Sequence, residues 1–189
     1  MEIVMTRTAE GRSTTHVRRD DGVTLELPSY APLHRLPHDL AHFVIERALG
    51  LTCGFWGSIA DGAVFGGMAA VPRRQTARVE DRARQVMRGA NSRVTEAEAV
   101  VGTVVEIYQR RLDRDWAAAR ALLGGTWRPA RPSRELPSQG EVRRICQELA
   151  DAEKRWLSMP IDSSVSLVWP KQEATPRRGE PRSRRRRRT

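Results

Sequence analysis

Leu36 to Gly50 constrains this fold more than any other stretch, because proline opens it, glycine closes it, and everything between has one period. Pro37 stands where a first helical residue tolerates a missing N–H, and Gly50 where a left-handed cap is wanted. The segment reads as one short helix. Leu40, Phe43, Val44, Arg47 and Ala48 share a face at helical spacing, while His38, His42 and Glu46 follow at intervals of four on another. Leu51 to Met68 is apolar and glycine-rich, and predicts a second short helix packed closely on the first, with Phe55, Trp56, Ile59 and Phe65 in the core. Its glycines do not make a phosphate loop, since no Gly-Lys-Ser/Thr and no GxGxxG is present.

Upstream, residues 2–7, about 13–19 and 23–27 are short β-branched segments, the last two separated by Asp20-Asp21-Gly22. Asp-Gly between extended runs signals a hairpin, because glycine supplies the positive φ. Val23, Leu25 and Leu27 alternate with Thr24 and Glu26, so one face of this antiparallel meander needs covering. Near the other end, Ser164 to Trp169 reads as a strand that returns to the meander, since a lone strand leaves its backbone unsatisfied.

Between them lie helical patterns. Val79, Ala83, Val86, Met87 and Ala90 mark a helix over 75–90. Thr95-Glu96-Ala97-Glu98 reads as a capping box opening a helix or helix pair that Gly124 and Gly125 end. Residues 126–137 hold three prolines and read as a loop. Ser138-Gln139-Gly140-Glu141 is a second capping box, ahead of the stripe Val142, Ile145, Leu149, Ala152 and Trp156. The expectation is an α+β fold: a small antiparallel sheet, from a three-stranded N-terminal meander plus one C-terminal strand, packed on a bundle of four to six helices. Residues 1–170 are read as one globular domain and 171–189 as a disordered Arg-rich tail.

That tail dominates the electrostatics. Net charge is +10, but residues 171–189 hold nine basic residues against two acidic ones, so +7 belongs to the tail and +3 to the other 170 residues. A broad basic surface for nucleic acid is therefore excluded from the domain. Arg184, Arg185, Arg186, Arg187 and Arg188 would attract phosphate backbones or an acidic partner without reading sequence, or stand as a solvated tail with neither. Cys53 and Cys146 form no disulfide framework and no CxxC knuckle, and no apolar run approaches a membrane span. With no signal-peptide pattern at the first residues, a cytoplasmic protein is expected.

The chemistry concentrates on histidine, with three of the four, His34, His38 and His42, falling within nine residues. Imidazoles four apart on a helix can both reach one zinc at about 2.0–2.1 Å. Glu46 cannot simply complete that pair, because it lies about 12 Å of helix beyond His38. A third ligand must come from elsewhere, with His34 and Asp61 the candidates, and Asp39 is the candidate general base or ligand orienter. His38-Asp39-Leu40-Ala41-His42 resembles the HDxxH motif of the ubiquinone-biosynthesis zinc proteins and, more distantly, the HExxH of zinc peptidases. The resemblance implies zinc held by His38 and His42. The family's downstream glutamate position is Gly54 here. The longer pattern from Leu36 to Gly67 also resembles stretches of small bacterial proteins that carry an HDxxH helix.

Two functions follow from these residues. One is a protein binding zinc or another divalent metal, acting as a hydrolase or lyase. The other is a non-catalytic interaction module whose basic tail touches nucleic acid or an acidic partner, with Asp39 merely complementing the helix dipole and the histidines bonding loop carbonyls. Ser58 lacks a GxSxG elbow, and Cys53 beside Phe55 and Trp56 reads as a small core residue.

Overall fold

The structure is a computed structural model describing residues 1–9, 12–28, 35–71, 76–130 and 134–170. Strands β1 (Glu2–Arg7), β2 (Ser13–Arg18) and β3 (Thr24–Leu27) form the antiparallel meander, with Ile3 opposite Val17 and Val17 opposite Leu25. The Asp-Gly turn closes as its residues dictate: Gly22 adopts φ 85°, and the Arg19 amide donates to the Val23 carbonyl at 2.9 Å. At the far end of the chain, β5 (Ser164–Val168) lies along β1, with Leu167 opposite Ile3. A further strand, β4 (Ala69–Val71), pairs with β3, so the sheet has five strands in the order β4-β3-β2-β1-β5. Three residues are too few to display an alternation, which is why β4 escaped the sequence reading.

Ile3, Met5, Thr15, Val17, Leu25 and Leu27 are buried on one side of the sheet, while His16, Arg18 and Glu26 are exposed on the other. Five helices share a core with the buried side: α1 (His38–Ala48), α2 (Phe55–Asp61), α3 (Ala77–Gln109), α4 (Trp116–Ala130) and α5 (Gln139–Ser158). One hydrophobic cluster runs through all of them, joining Ile3 and Leu25 to Ile45, Trp56, Val104, Leu123 and Leu149. Each such side chain contributes about 1.5–3 kcal/mol by leaving water. Polar ties add direction: Arg7 Nη1 reaches from β1 to the carbonyls of Leu157 and Met159 where α5 ends.

Two helix boundaries differ from the sequence reading. Residues 77–109 are one helix of 33 residues, so Thr95 caps nothing; its Oγ1 turns back to the Asn91 carbonyl at 2.9 Å. No proline or left-handed glycine interrupts Ala90 to Thr95, and a capping box needs a non-helical first residue that this stretch does not provide. Likewise Gly124 and Gly125 lie inside α4, and 126–130 are helical where a loop was expected, the helix being held by the buried Leu123 and Trp127. By contrast Ser138 is a true cap: its Oγ accepts the Glu141 amide, and Glu141 Oε2 accepts the Ser138 amide at 2.8 Å. The Arg-rich tail and His34 lie outside the described residues, among which no helix is long and apolar enough to cross a membrane.

The two capping-box sequences should therefore respond differently to alanine. Ser138→Ala is expected to cost about 1 kcal/mol, and Thr95→Ala to be neutral within about 0.5 kcal/mol or slightly stabilising, both read from urea unfolding midpoints. Equal losses would contradict the continuous α3.

Candidate metal centre

The polar face of α1 is turned inward. Asp39, His42 and Glu46 are 3%, 0% and 0% exposed, so each must find partners within the protein. Glu46 finds three. Its Oε1 accepts His42 Nδ1–H at 2.9 Å and the Phe55 amide at 2.8 Å, and its Oε2 accepts the Trp56 amide at 3.1 Å. Those amides open α2, where backbone N–H groups have no helical acceptor, so one carboxylate caps α2 and fixes a histidine. Gly54 makes the approach possible, because a Cβ there would stand 2.6 Å from the Glu46 carboxyl carbon.

Asp39 works on the other histidine. Its Oδ1 lies 3.5 Å from His38 Nδ1, and its Oδ2 accepts the hydroxyl of Thr15, from the buried side of β2, at 2.8 Å. Trp56 Nε1 donates to the Asp39 carbonyl at 3.1 Å, tying α2 to the same turn. Both imidazoles thus present Nδ1 to a buried carboxylate and Nε2 outward. The Nε2 atoms converge on Glu98 Oε2, at 3.4 Å from His38 and 3.1 Å from His42. The rings sit 4.4 Å apart, with Phe55 5.5 Å from the His42 ring as an apolar wall. Exposure rises from His42 (0%) through His38 (18%) to the Glu98 side chain (43%), so water reaches the group from the α3 side.

His38, His42 and Glu98 are the one group among the described residues whose ligand atoms lie within 4.8 Å of one another in the manner of a metal site. Ligands about 2.05 Å from a tetrahedral zinc stand about 3.3 Å apart, close to the two Nε2–oxygen separations found here. Asp61 is not brought to the histidines. It ends α2, its carbonyl accepts Arg82 Nε at 2.7 Å, and it borders a separate hollow with Asp20 and Asp21. The carboxylate found beside the two Nε2 atoms is Glu98. Glu98 lies four residues after Val94 and three before Val101, at the margin of the α3 apolar stripe, a signal that the capping-box reading of Thr95 to Glu98 hid. Asp39 stands on the Nδ1 side of His38, at the position of an orienter.

No family model, curated protein or solved structure matches this chain. Burial works against a charged imidazole, yet the hydrogen bonds to Asp39 and Glu98 outweigh it and raise His38 to about 9. At His42 burial is likewise overcome by Glu46 and Glu98, and the pKa rises. Glu98 is pushed up by burial but held far below the ordinary carboxylate range by the two imidazoles. Asp39, Glu46 and Glu98 bring three negative charges to the two imidazoles, and two protons or one divalent cation would offset two of them.

Two outcomes follow from this geometry. A raised histidine pKa stabilises the fold fully below its ordinary 6.5, and that contribution is lost as pH climbs towards about 9; the depressed Glu98 contributes above 4.5 and is lost on acidification. The melting temperature of EDTA-treated protein is expected to fall from pH 6.5 to 9, and to fall less in His38→Gln. Separately, Gly54→Ala is expected to cost about 1–3 kcal/mol in urea unfolding by forcing Glu46 off its donors. Gly102→Ala, with nothing within 4 Å of its added Cβ, serves as the control that does not destabilise.

Proposed function

We propose that this protein binds a divalent metal through His38 Nε2, His42 Nε2 and the Glu98 carboxylate, and uses it for hydrolytic or lytic chemistry. The observation that carries the reading is the convergence of two Nε2 atoms on Glu98 Oε2 while both Nδ1 atoms face buried carboxylates. Carboxylate–histidine pairs behind the ligands are how proteins fix imidazole tautomer and direction for a metal. Two histidines one turn apart with a glutamate from another helix is a ligand set that zinc accepts with a water in the fourth position. Zinc bound there would bring the pKa of that water near 7, making hydroxide available at neutral pH.

The remaining residues have separate tasks. Asp39 orients His38, taking the orienter alternative over the general base, because its two oxygens are committed to His38 and Thr15. Glu46 orients His42. Phe55 excludes water from the inner side, and the exposed edge of Glu98 leaves the outer side open to substrate. The likeness to the HDxxH zinc proteins fits the histidine pair, with Glu98 in place of the glutamate that Gly54 displaces.

Protein purified without a histidine tag and loaded with zinc, iron(II) or manganese is expected to hold about one equivalent, releasing protons as the imidazoles deprotonate. At about 100 times its Kd the metal should stabilise the fold by about 2.7 kcal/mol, seen as a rise in melting temperature that EDTA reverses. Glu46→Gln should weaken affinity about 10–100-fold. Fewer than about 0.2 equivalents in wild type after metal addition, or an unchanged content in the His38→Ala, His42→Ala and Glu98→Gln variants, would end the proposal.

A further inference from the structure

The far side of α1 from the histidines borders a groove of about 570 Å³. Its floor is apolar: Phe43 and Val44 of α1, Ala152 and Trp156 of α5, Val165 and Leu167 of β5. Its rim is charged, with Arg47, Arg144 and Arg155 against Glu148 and Asp151. Glu148 stands 3.7 Å from Arg144 Nε, while Asp151 accepts Gln147 Nε2, a neutral donor, at 3.2 Å and so keeps its charge. Against it stand two cations: Arg47 lies over the Phe43 ring at 6.0 Å, and neither it nor Arg155 enters an ion pair among the described residues.

We infer that this groove binds an apolar monocarboxylate of the fatty-acid class, its chain along the floor and its carboxylate at the arginine rim. The volume is that of a small-molecule site, and a guanidinium receives a carboxylate through two parallel hydrogen bonds. The same face of a second copy would bring the same rim, in which arginine outnumbers carboxylate, so charge complementarity favours the anion. Each methylene fully buried is worth about fourfold in affinity, and a half-open groove gives between about twofold and fourfold. The site is independent of the metal centre, since none of its lining residues belongs to the histidine group.

Calorimetric titration with dodecanoate below its micelle concentration tests this on the full chain. One molecule per chain is expected, with decanoate about 4–16-fold weaker and dodecyltrimethylammonium at least about tenfold weaker. The double variant Arg47→Gln/Arg155→Gln should lose at least about tenfold in affinity with its circular dichroism melt unchanged, both residues being exposed. Ala152→Trp, which fills the groove, should abolish binding. Binding should persist in His38→Ala, which separates the groove from carboxylate capture by a metal. Equal binding of the cationic amphiphile, an unaffected double variant, or binding lost in His38→Ala would overturn the inference. So would a dimer in sedimentation velocity that Ala152→Trp dissociates while dodecanoate fails to bind, because the face would then be covered by a second copy.

Discussion

Burying a carboxylate costs several kcal/mol unless donors replace its water, and Glu46 has no exposed surface at all. Three donors meet it: the His42 imidazole one turn back along α1, and the first two amides of α2. Each arrangement requires the other. If α2 shifted along its axis the Phe55 and Trp56 amides would lose their acceptor, and if His42 changed rotamer Glu46 Oε1 would keep only the Phe55 amide. The absent side chain at Gly54 is the steric condition for this contact, and the residue cannot be enlarged without moving Glu46.

From that contact the rest of the site is built outward. The sheet enters through Thr15, whose hydroxyl fixes Asp39 and hence the His38 ring. The uninterrupted helix α3 enters through Glu98. Had it broken at Thr95, Glu98 would lie in a first turn with different neighbours; as one 33-residue rod, it runs past α2 and sets the carboxylate over both imidazoles. α1 is therefore double-sided. Its polar face is turned to α2 and α3 and opens to water only at the His38 and Glu98 edge, while the face that looked like ordinary core by spacing is in part the wall of an open groove.

Much of the fold was legible because its signals are local. The Asp-Gly turn, the alternation of β3, the Ser138 cap and the bracketing of α1 each depend on residues within a few positions of one another. The errors were local too. Thr95 and Glu98 have the residue types of a capping box, and only the i−4 hydrogen bond of Thr95 reveals that the helix never stopped. Gly124 and Gly125 have the composition of a stop, but packing of Leu123 and Trp127 outweighs their cost.

For the site the division is sharper. Sequence alone determined that His38 and His42 share a side of one helix, because 3.6 residues per turn puts positions four apart together whatever the surroundings. It also determined that Glu46 cannot reach the same point as His38. Only the tertiary structure decided that Glu98 is the carboxylate that meets the two Nε2 atoms, that Glu46 and Asp39 stand behind the imidazoles, and that Asp61 borders another hollow. These are contacts between residues far apart in the chain, His38 and Glu98 among them, and no local periodicity encodes which helix will cross a given turn. That crossing is set by how the apolar faces of α1, α2 and α3 share one core against the sheet.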